Sequence, residues 1–302
     1  MPAPILISVY TRLKHLQDCI DSLKENELAK DTDLFVVSDG PHLPQLQDTI
    51  EQIRAYVRGV VGFKSVTLFA WDVNCGGAES IRRARMEIYC KYDRLIFMED
   101  DNLVSPLFLG FMNEALTSYE NDPAVFGVCG FNVNVKIPDN YPYDVYFMNY
   151  ISANGWGTWK HKYLPFLENY TLPDFKSKEF KAYFRYLEKS ANNLKRMVQQ
   201  GANWGDAKVT HYLYQQKLVC LFPCKSLVYN TGWDGTGEHC GTDESYLNLE
   251  INKDEPVTRF PSVTAIDSSW QTVIRNFTKY PFLGKWKTAL YDKKIKLKKK
   301  MH

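Results

Sequence analysis

The sequence predicts an α/β protein with a mainly parallel central sheet flanked by helices and followed by a loop-rich region. Short apolar runs alternate with stretches of helical periodicity over the first hundred residues. Each of the first four runs ends in polar residues suited to a ligand. From about Pro123 the alternation gives way to shorter runs set among aromatic- and glycine-rich loops.

Residues 4–9 (PILISV) form the first buried-strand run, and residues 12–30 place Leu13, Leu16, Ile20 and Leu23 on one helical face. A second strand at residues 33–37 ends in the turn Ser38, Asp39, Gly40, Pro41, after which residues 43–57 are helical through Leu46, Ile50, Ile53 and Val57. Residues 66–71 are a third strand, and residues 77–92 a helix with Ala78, Ile81, Ala84 and Ile88 in register. Residues 95–98 are the fourth strand. This βαβαβαβ order requires right-handed crossovers and a mostly parallel sheet. Beyond it, residues 124–129, 145–150, 218–222 and 226–229 are short strand-like runs, and residues 178–200 read as one long helix. The expected division is a ligand-binding half at residues 1–122, a second half of the same unit at 123–283 that supplies a lid and acceptor pocket, and a basic tail at 284–302.

Composition narrows the function classes. The net charge is +2, but residues 285–302 carry eight lysines against Asp292, a net +7 that leaves the rest of the chain at −5. A nucleic-acid binder would carry positive charge over its folded body, so that class is excluded as an expectation. The seven cysteines form no paired CxxC set and mostly lie in apolar stretches, as expected of reduced thiols in a cytoplasmic protein. The opening apolar run is too short for a signal peptide, and no run approaches the roughly 18 residues of a membrane span. The lysine tail either touches anionic lipid at the inner face of a membrane or is a solubilising extension.

Residues 94–101 (RLIFMEDD) are the focus of the chain. Their apolar run ends in Glu99, Asp100 and Asp101 at the strand end, where open α/β sheets bind ligands. Three adjacent acids repel one another, and a divalent cation holding a phosphate would offset this. The competing reading is an acidic turn before the next helix, since Ser105-Pro106 has the form of an N-cap followed by proline. Both readings can hold, with different residues serving each.

These features resemble the nucleotide-sugar-dependent glycosyltransferases of the GT-A (Rossmann-like) fold, in the large family 2 group. The likeness runs through residues 8–23 (SVYTRLKHLQDCIDSL), Ser38-Asp39-Gly40-Pro41, Asn74-Cys75-Gly76-Gly77 and the acid trio, which stands where that fold keeps its acidic metal motif. Residues 154–159 (NGWGTW) and 230–239 (NTGWDGTGEH) resemble segments of bacterial polysaccharide glycosyltransferases. The resemblance implies a metal-dependent, inverting transfer of a hexosyl or N-acetylhexosaminyl group from a nucleotide diphosphate sugar to a glycan or lipid-linked saccharide. It implies Thr11, Arg12, Asp39, Asn74, Gly76, Arg82, Arg85, Glu99 and Asp100 as donor contacts. The expected cofactor is Mn²⁺ or Mg²⁺, held by Asp101 and, by resemblance, His239. Asp100 would reach the donor sugar or a metal-bound water.

Inversion needs a carboxylate beside the acceptor hydroxyl. Asp206 is the leading candidate, with Asp234, Asp243 and Glu244 as competitors; Gly205 interrupts the family's Trp-Asp pair. Trp156, Trp159 and Trp204 would stack on sugar faces or else serve as core residues. Two alternatives remain: a non-catalytic carbohydrate-binding protein, and a nucleotidyltransferase. The second is disfavoured because Tyr10-Thr11-Arg12-Leu13 holds no glycine.

Overall fold

In the computed structural model, which describes residues 1–132, 135, 137–232, 250–262 and 264, the first four strands lie parallel. They are β1 (Ile5–Val9), β2 (Asp33–Ser38), β3 (Ser65–Ala70) and β4 (Arg94–Glu99), in spatial order β3-β2-β1-β4. Their connections run through helices α1 (Leu13–Lys24), α2 (Gln47–Arg58) and α3 (Gly77–Tyr89). β1, β2 and β4 are almost wholly buried, as strands covered on both faces must be. β3 is the edge and only half-buried.

The register aligns the carboxyl ends. Val9 pairs with Ser38, Ser38 with Ala70, and Ser8 with Glu99. Four polar turns therefore open on one side of the sheet, which is the arrangement anticipated from the sequence.

The second half continues the same sheet. β6 (Val125–Cys129), β7 (Val145–Met148), β8 (Trp156–Trp159) and β9 (Val219–Pro223) extend it to eight strands in the order β3-β2-β1-β4-β8-β6-β9-β7. β8 is antiparallel to both of its neighbours, β4 and β6. Its four residues, Trp-Gly-Thr-Trp, are all buried, so no polar alternation marked it as a strand. A small antiparallel pair, β5 (Asn102–Val104) with β10 (Val228–Asn230), sits directly after the acid trio.

Helix α4 (Phe108–Ser118) follows the Ser105-Pro106 turn: Ser105 Oγ accepts from Leu107 N at 3.1 Å and Ser105 O from Phe108 N at 3.0 Å. A helical layer follows, comprising α5 (Lys160–Asn169), α6 (Lys178–Tyr186), α7 (Glu188–Gln200) and α8 (Gly205–Gln216). The single helix expected over residues 178–200 is two, broken at Leu187 (φ −124°, ψ 56°). Neither glycine nor proline signals the break. It turns Phe180 and Tyr183 on one side, and Ala191 and Leu194 on the other, into the interior together. Among the described residues no helix is long and apolar enough to cross a membrane.

Candidate active site

At the end of β4 the three acids differ in what surrounds them. Asp101 is buried, and its carboxylate accepts three side-chain hydrogen bonds: Oδ1 from Asn102 Nδ2 at 3.0 Å and Asn230 Nδ2 at 3.1 Å, and Oδ2 from Arg12 Nη2 at 2.8 Å. Its main-chain oxygen accepts from Thr231 N at 2.8 Å and Thr231 Oγ1 at 3.1 Å. Asp100 is also buried and meets Arg12 through both of its oxygens, Oδ2 receiving Nε at 3.2 Å and Oδ1 pairing with Nη2. Glu99 is solvent-exposed at the end of β4, although neighbouring groups crowd its carboxyl. Among the described residues none donates a hydrogen bond to its carboxyl.

Arg12 thus supplies part of the counter-charge that the trio demands. Burial works against its charge, but the hydrogen bonds and charges of Asp100 and Asp101 overcome this and raise its pKa. The compensation is incomplete. Loss of hydration pushes the Glu99 carboxyl up to about 8, reinforced by Asp101, Asp206 and Asp100 and opposed by Arg12. Burial likewise lifts Asp100 to about 6 against the pull of Arg12. One guanidinium thus stands against three carboxyl groups, and the acids remain in excess.

Asn154 and residues 230–232, the described start of the second motif, meet on this acid end. Asn154 Oδ1 accepts from Asn230 Nδ2 at 2.8 Å, and both asparagines join Asn102 around Asp101. Gly232 N donates to Asn230 Oδ1 at 2.7 Å. A Cβ at Gly232 would stand 2.2 Å from Asp101 Oδ2, so only glycine lets the chain cross the carboxylate at this point.

The second cluster lies at the ends of β2 and β3. Asp39 is 5% exposed. Its Oδ1 accepts from Gly40 N at 2.9 Å, Cys75 N at 3.1 Å and the Cys75 thiol at 3.2 Å, whereas Oδ2 is buried with no partner. Asn74 Nδ2 donates to Gly40 O at 2.7 Å. A Cβ on Gly40 would fall 2.5 Å from the Val73 carbonyl carbon, so the two loops touch only because this residue is glycine. Gly76 is the N-cap residue of α3, and Thr11 lies half-buried between β1 and α1.

Sequence reasoning missed several groups here. Buried Arg54, on α2, donates Nη2 to Trp71 O at 2.6 Å and Asp39 O at 3.3 Å, tying the two loops together. Its position on the apolar face of a helix between Ile50, Ile53 and Val57 was the available signal. His42 was missed as well: it stacks at 5.8 Å on Tyr10, a strand-end residue that the sequence did point to, with Tyr10 OH 2.6 Å from His42 Nδ1. Asn102, Asn154 and Asn230 also escaped notice, although the last two open the very motifs singled out.

Several expectations are corrected. Trp159 is fully buried, with Nε1 donating to Leu116 O at 2.9 Å, and Trp156 is 7% exposed and stacks on Phe97 at 4.8 Å; both are core residues of β8, not acceptor platforms. Arg82 is exposed and pairs with Glu79 through Nε at 2.6 Å, within its own helix. Arg85 donates Nη1 to Tyr163 OH at 2.7 Å and lies 4.6 Å from the Phe97 ring centroid, so it packs on the sheet instead of reaching for a diphosphate. Asp101, expected to ligate a metal directly, has its carboxylate engaged by three donors. Glu99 is the acid that remains open.

Trp204 is half-buried just before α8, with the Arg196 guanidinium 5.9 Å from its ring centroid. Asp206 is exposed in the first turn of α8, where Oδ1 accepts from Ala207 N at 2.8 Å, and its charge reaches Glu99. Among the described residues no three or more His, Cys, Asp or Glu are grouped to hold a metal by themselves. His239, Asp234, Asp243, Glu244 and the lysine tail lie outside the described residues.

Neither models of known protein families nor curated protein sequences match this chain. Among solved structures it is similar to Staphylococcus aureus TarS. One TarS crystal structure aligns at 14% identity and TM-score 0.42 over 76% of this chain and 37% of that one. TarS 1-349 in complex with UDP-GlcNAc aligns at 14% identity and TM-score 0.46, over 79% and 60% of the two chains. Another crystal structure of TarS 1-349 aligns at 13% identity and TM-score 0.42, over 77% and 61%. The chain therefore spans between about a third and three-fifths of the length of these proteins.

Proposed function

We propose that the recess at the carboxyl ends of β1 to β4 binds a nucleotide diphosphate sugar, and that the protein is a metal-dependent, inverting glycosyltransferase acting on a saccharide or lipid-linked saccharide. The observation carrying this reading is the convergence of two unsatisfied demands on one sheet edge. Asp39 presents a buried carboxylate oxygen that lacks a donor, and the acid trio retains an excess of negative charge. A nucleoside supplies the donor, and a divalent cation with its diphosphate supplies the charge. The family resemblance of the sequence motifs selects sugar transfer among the reactions that such a donor permits.

The donor set fits a cation that takes one or two carboxylates and completes its shell with water and phosphate oxygens. Glu99 offers the open carboxylate, and Asp100 and Asp101 retain lone pairs that Arg12 and the asparagines do not fill. When bound, such a cation acts as a Lewis acid that stabilises the diphosphate leaving group. Arg12 holds Asp100 and Asp101 in place and offsets their repulsion. Buried Nη1 of Arg12 has no partner and is available to a phosphate oxygen. Asp39 orients the nucleoside. Asp206, in the first turn of α8 and near enough for its charge to reach Glu99, accepts the proton of the acceptor hydroxyl. Trp204, half-exposed two residues earlier, offers an apolar face for the acceptor ring.

A screen of nucleotide sugars by thermal shift, with and without Mn²⁺, tests the reading. At least one is expected to raise the Tm of the wild type, and Asp39→Ala to abolish the shift. With that donor, Asp206→Asn should lower kcat by about 10²–10⁴-fold while leaving the donor KM within about threefold. A wild type that no nucleotide sugar stabilises would sink the proposal.

A further inference from the structure

We propose that Cys75 is a positioning residue that sets the base preference of the nucleotide site by occupying one oxygen of Asp39. This rests on the nucleotide reading above and adds a determinant of specificity to it. Asp39 Oδ1 receives three donors, and Cys75 provides two of them, its backbone N–H at 3.1 Å and its thiol at 3.2 Å. Gly40 N at 2.9 Å is the third. Oδ1 is saturated, and Oδ2, buried and without a partner, is the one acceptor left for a ligand.

The loop is built to hold this asymmetry. Asn74, next to Cys75, donates to Gly40 O at 2.7 Å, and the absence of a Cβ on Gly40 allows the Asp72–Asn74 backbone to close against it. Arg54 ties the Asp39 and Trp71 main-chain carbonyls together, which holds the two loops in register and keeps one carboxylate oxygen turned toward Gly40 and Cys75. Desolvation and the hydrogen bond to Asp39 raise the pKa of the half-exposed Cys75 thiol, which keeps it protonated and able to donate.

One free acceptor favours a base with one ring N–H. Uracil presents N3–H between two carbonyls, which a single carboxylate oxygen satisfies. Guanine presents N1–H beside an exocyclic amine, a two-donor edge that matches both oxygens of a carboxylate. With Oδ1 filled, the second donor would be left unpaired, and an unpaired polar group in such a site costs affinity. Cytosine and adenine place a ring-nitrogen acceptor against the carboxylate and are repelled.

Titration calorimetry with UDP, GDP and CDP in the presence of Mn²⁺, on the wild type, Cys75→Ser and Cys75→Ala, tests the inference. The wild type should bind UDP more tightly than GDP by about 10–100-fold, and CDP more weakly than UDP. Cys75→Ala removes the one side-chain donor from Oδ1, leaving the two backbone N–H groups, and should narrow the UDP/GDP ratio by about threefold, whereas Cys75→Ser keeps a donor and should retain the wild-type ratio. The melting temperatures of the free variants report whether folding is intact. An unchanged ratio in Cys75→Ala, or a wild type that prefers GDP, overturns the inference and leaves the nucleotide reading standing. A wild type that binds none of the three overturns both.

Discussion

Glu99 illustrates how a single residue takes its chemistry from its neighbours. Its carboxyl, at about 8, is protonated at neutral pH while Arg12 is the nearby counter-charge. A cation can bind there only by displacing that proton, so affinity rises with pH through 8. The stabilisation of the protein by Mn²⁺, read as a Tm shift, is therefore expected to be larger at pH 8.5 than at pH 6.5. Glu99→Gln should lose most of that pH dependence. Equal shifts at both pH values in the wild type would remove Glu99 from the cation site. The sequence marked the trio as special but not the order within it, because three adjacent acids are equivalent in one dimension. Burial and the asparagines from two distant loops separate them.

At the scale of elements, the helical layer carries its own acid sensitivity. His211 on α8 is 2% exposed among the rings of Tyr170, Phe180 and Tyr183, with centroids 5.8, 6.2 and 4.8 Å away. Burial pushes its pKa from 6.5 down to about 4, and a neutral imidazole can accept at Nδ1 from Tyr170 OH, 3.1 Å away. The unfolded chain takes up this proton first. The contribution is therefore complete above pH 6.5 and is lost as pH falls from 6.5 to about 4, amounting to about 3 kcal/mol at most. Urea unfolding at pH 7 and pH 4.5 should show a smaller fall in stability for His211→Phe than for the wild type. Parallel falls would mean that the histidine is already charged in the folded state. These helices were also the least legible part of the chain. α5 and α8 went unrecognised, and the break at Leu187 has no local signal, because it is dictated by what the two halves bury and not by their own propensities.

For the whole molecule, the parallel half was read almost completely from sequence, because both-face burial leaves continuous apolar runs whose ends name the ligand side. In the other half β6, β7, β9 and β10 were anticipated but β8 was not, since Trp-Gly-Thr-Trp has no period and owes its conformation to partners on either side. The site shows the same division. Asp39 and the acids announced themselves, whereas Arg54 and the three asparagines act through contacts between segments remote in sequence. β8 joins the two halves by hydrogen-bonding to β4 on one side and β6 on the other. Thermal unfolding followed by far-UV and near-UV circular dichroism should accordingly give coincident transitions; two separated steps would show that the halves melt independently.

The same strand limits how the protein can be re-engineered. A chimera made by exchanging everything after residue 122 would remove the strand that closes the open edge of β4, the strand bearing the acid trio. Under the proposed function, acceptor preference cannot then be grafted by swapping the second half as a cassette. It has to be rewritten within the loops around an inherited Trp156–Trp159 strand.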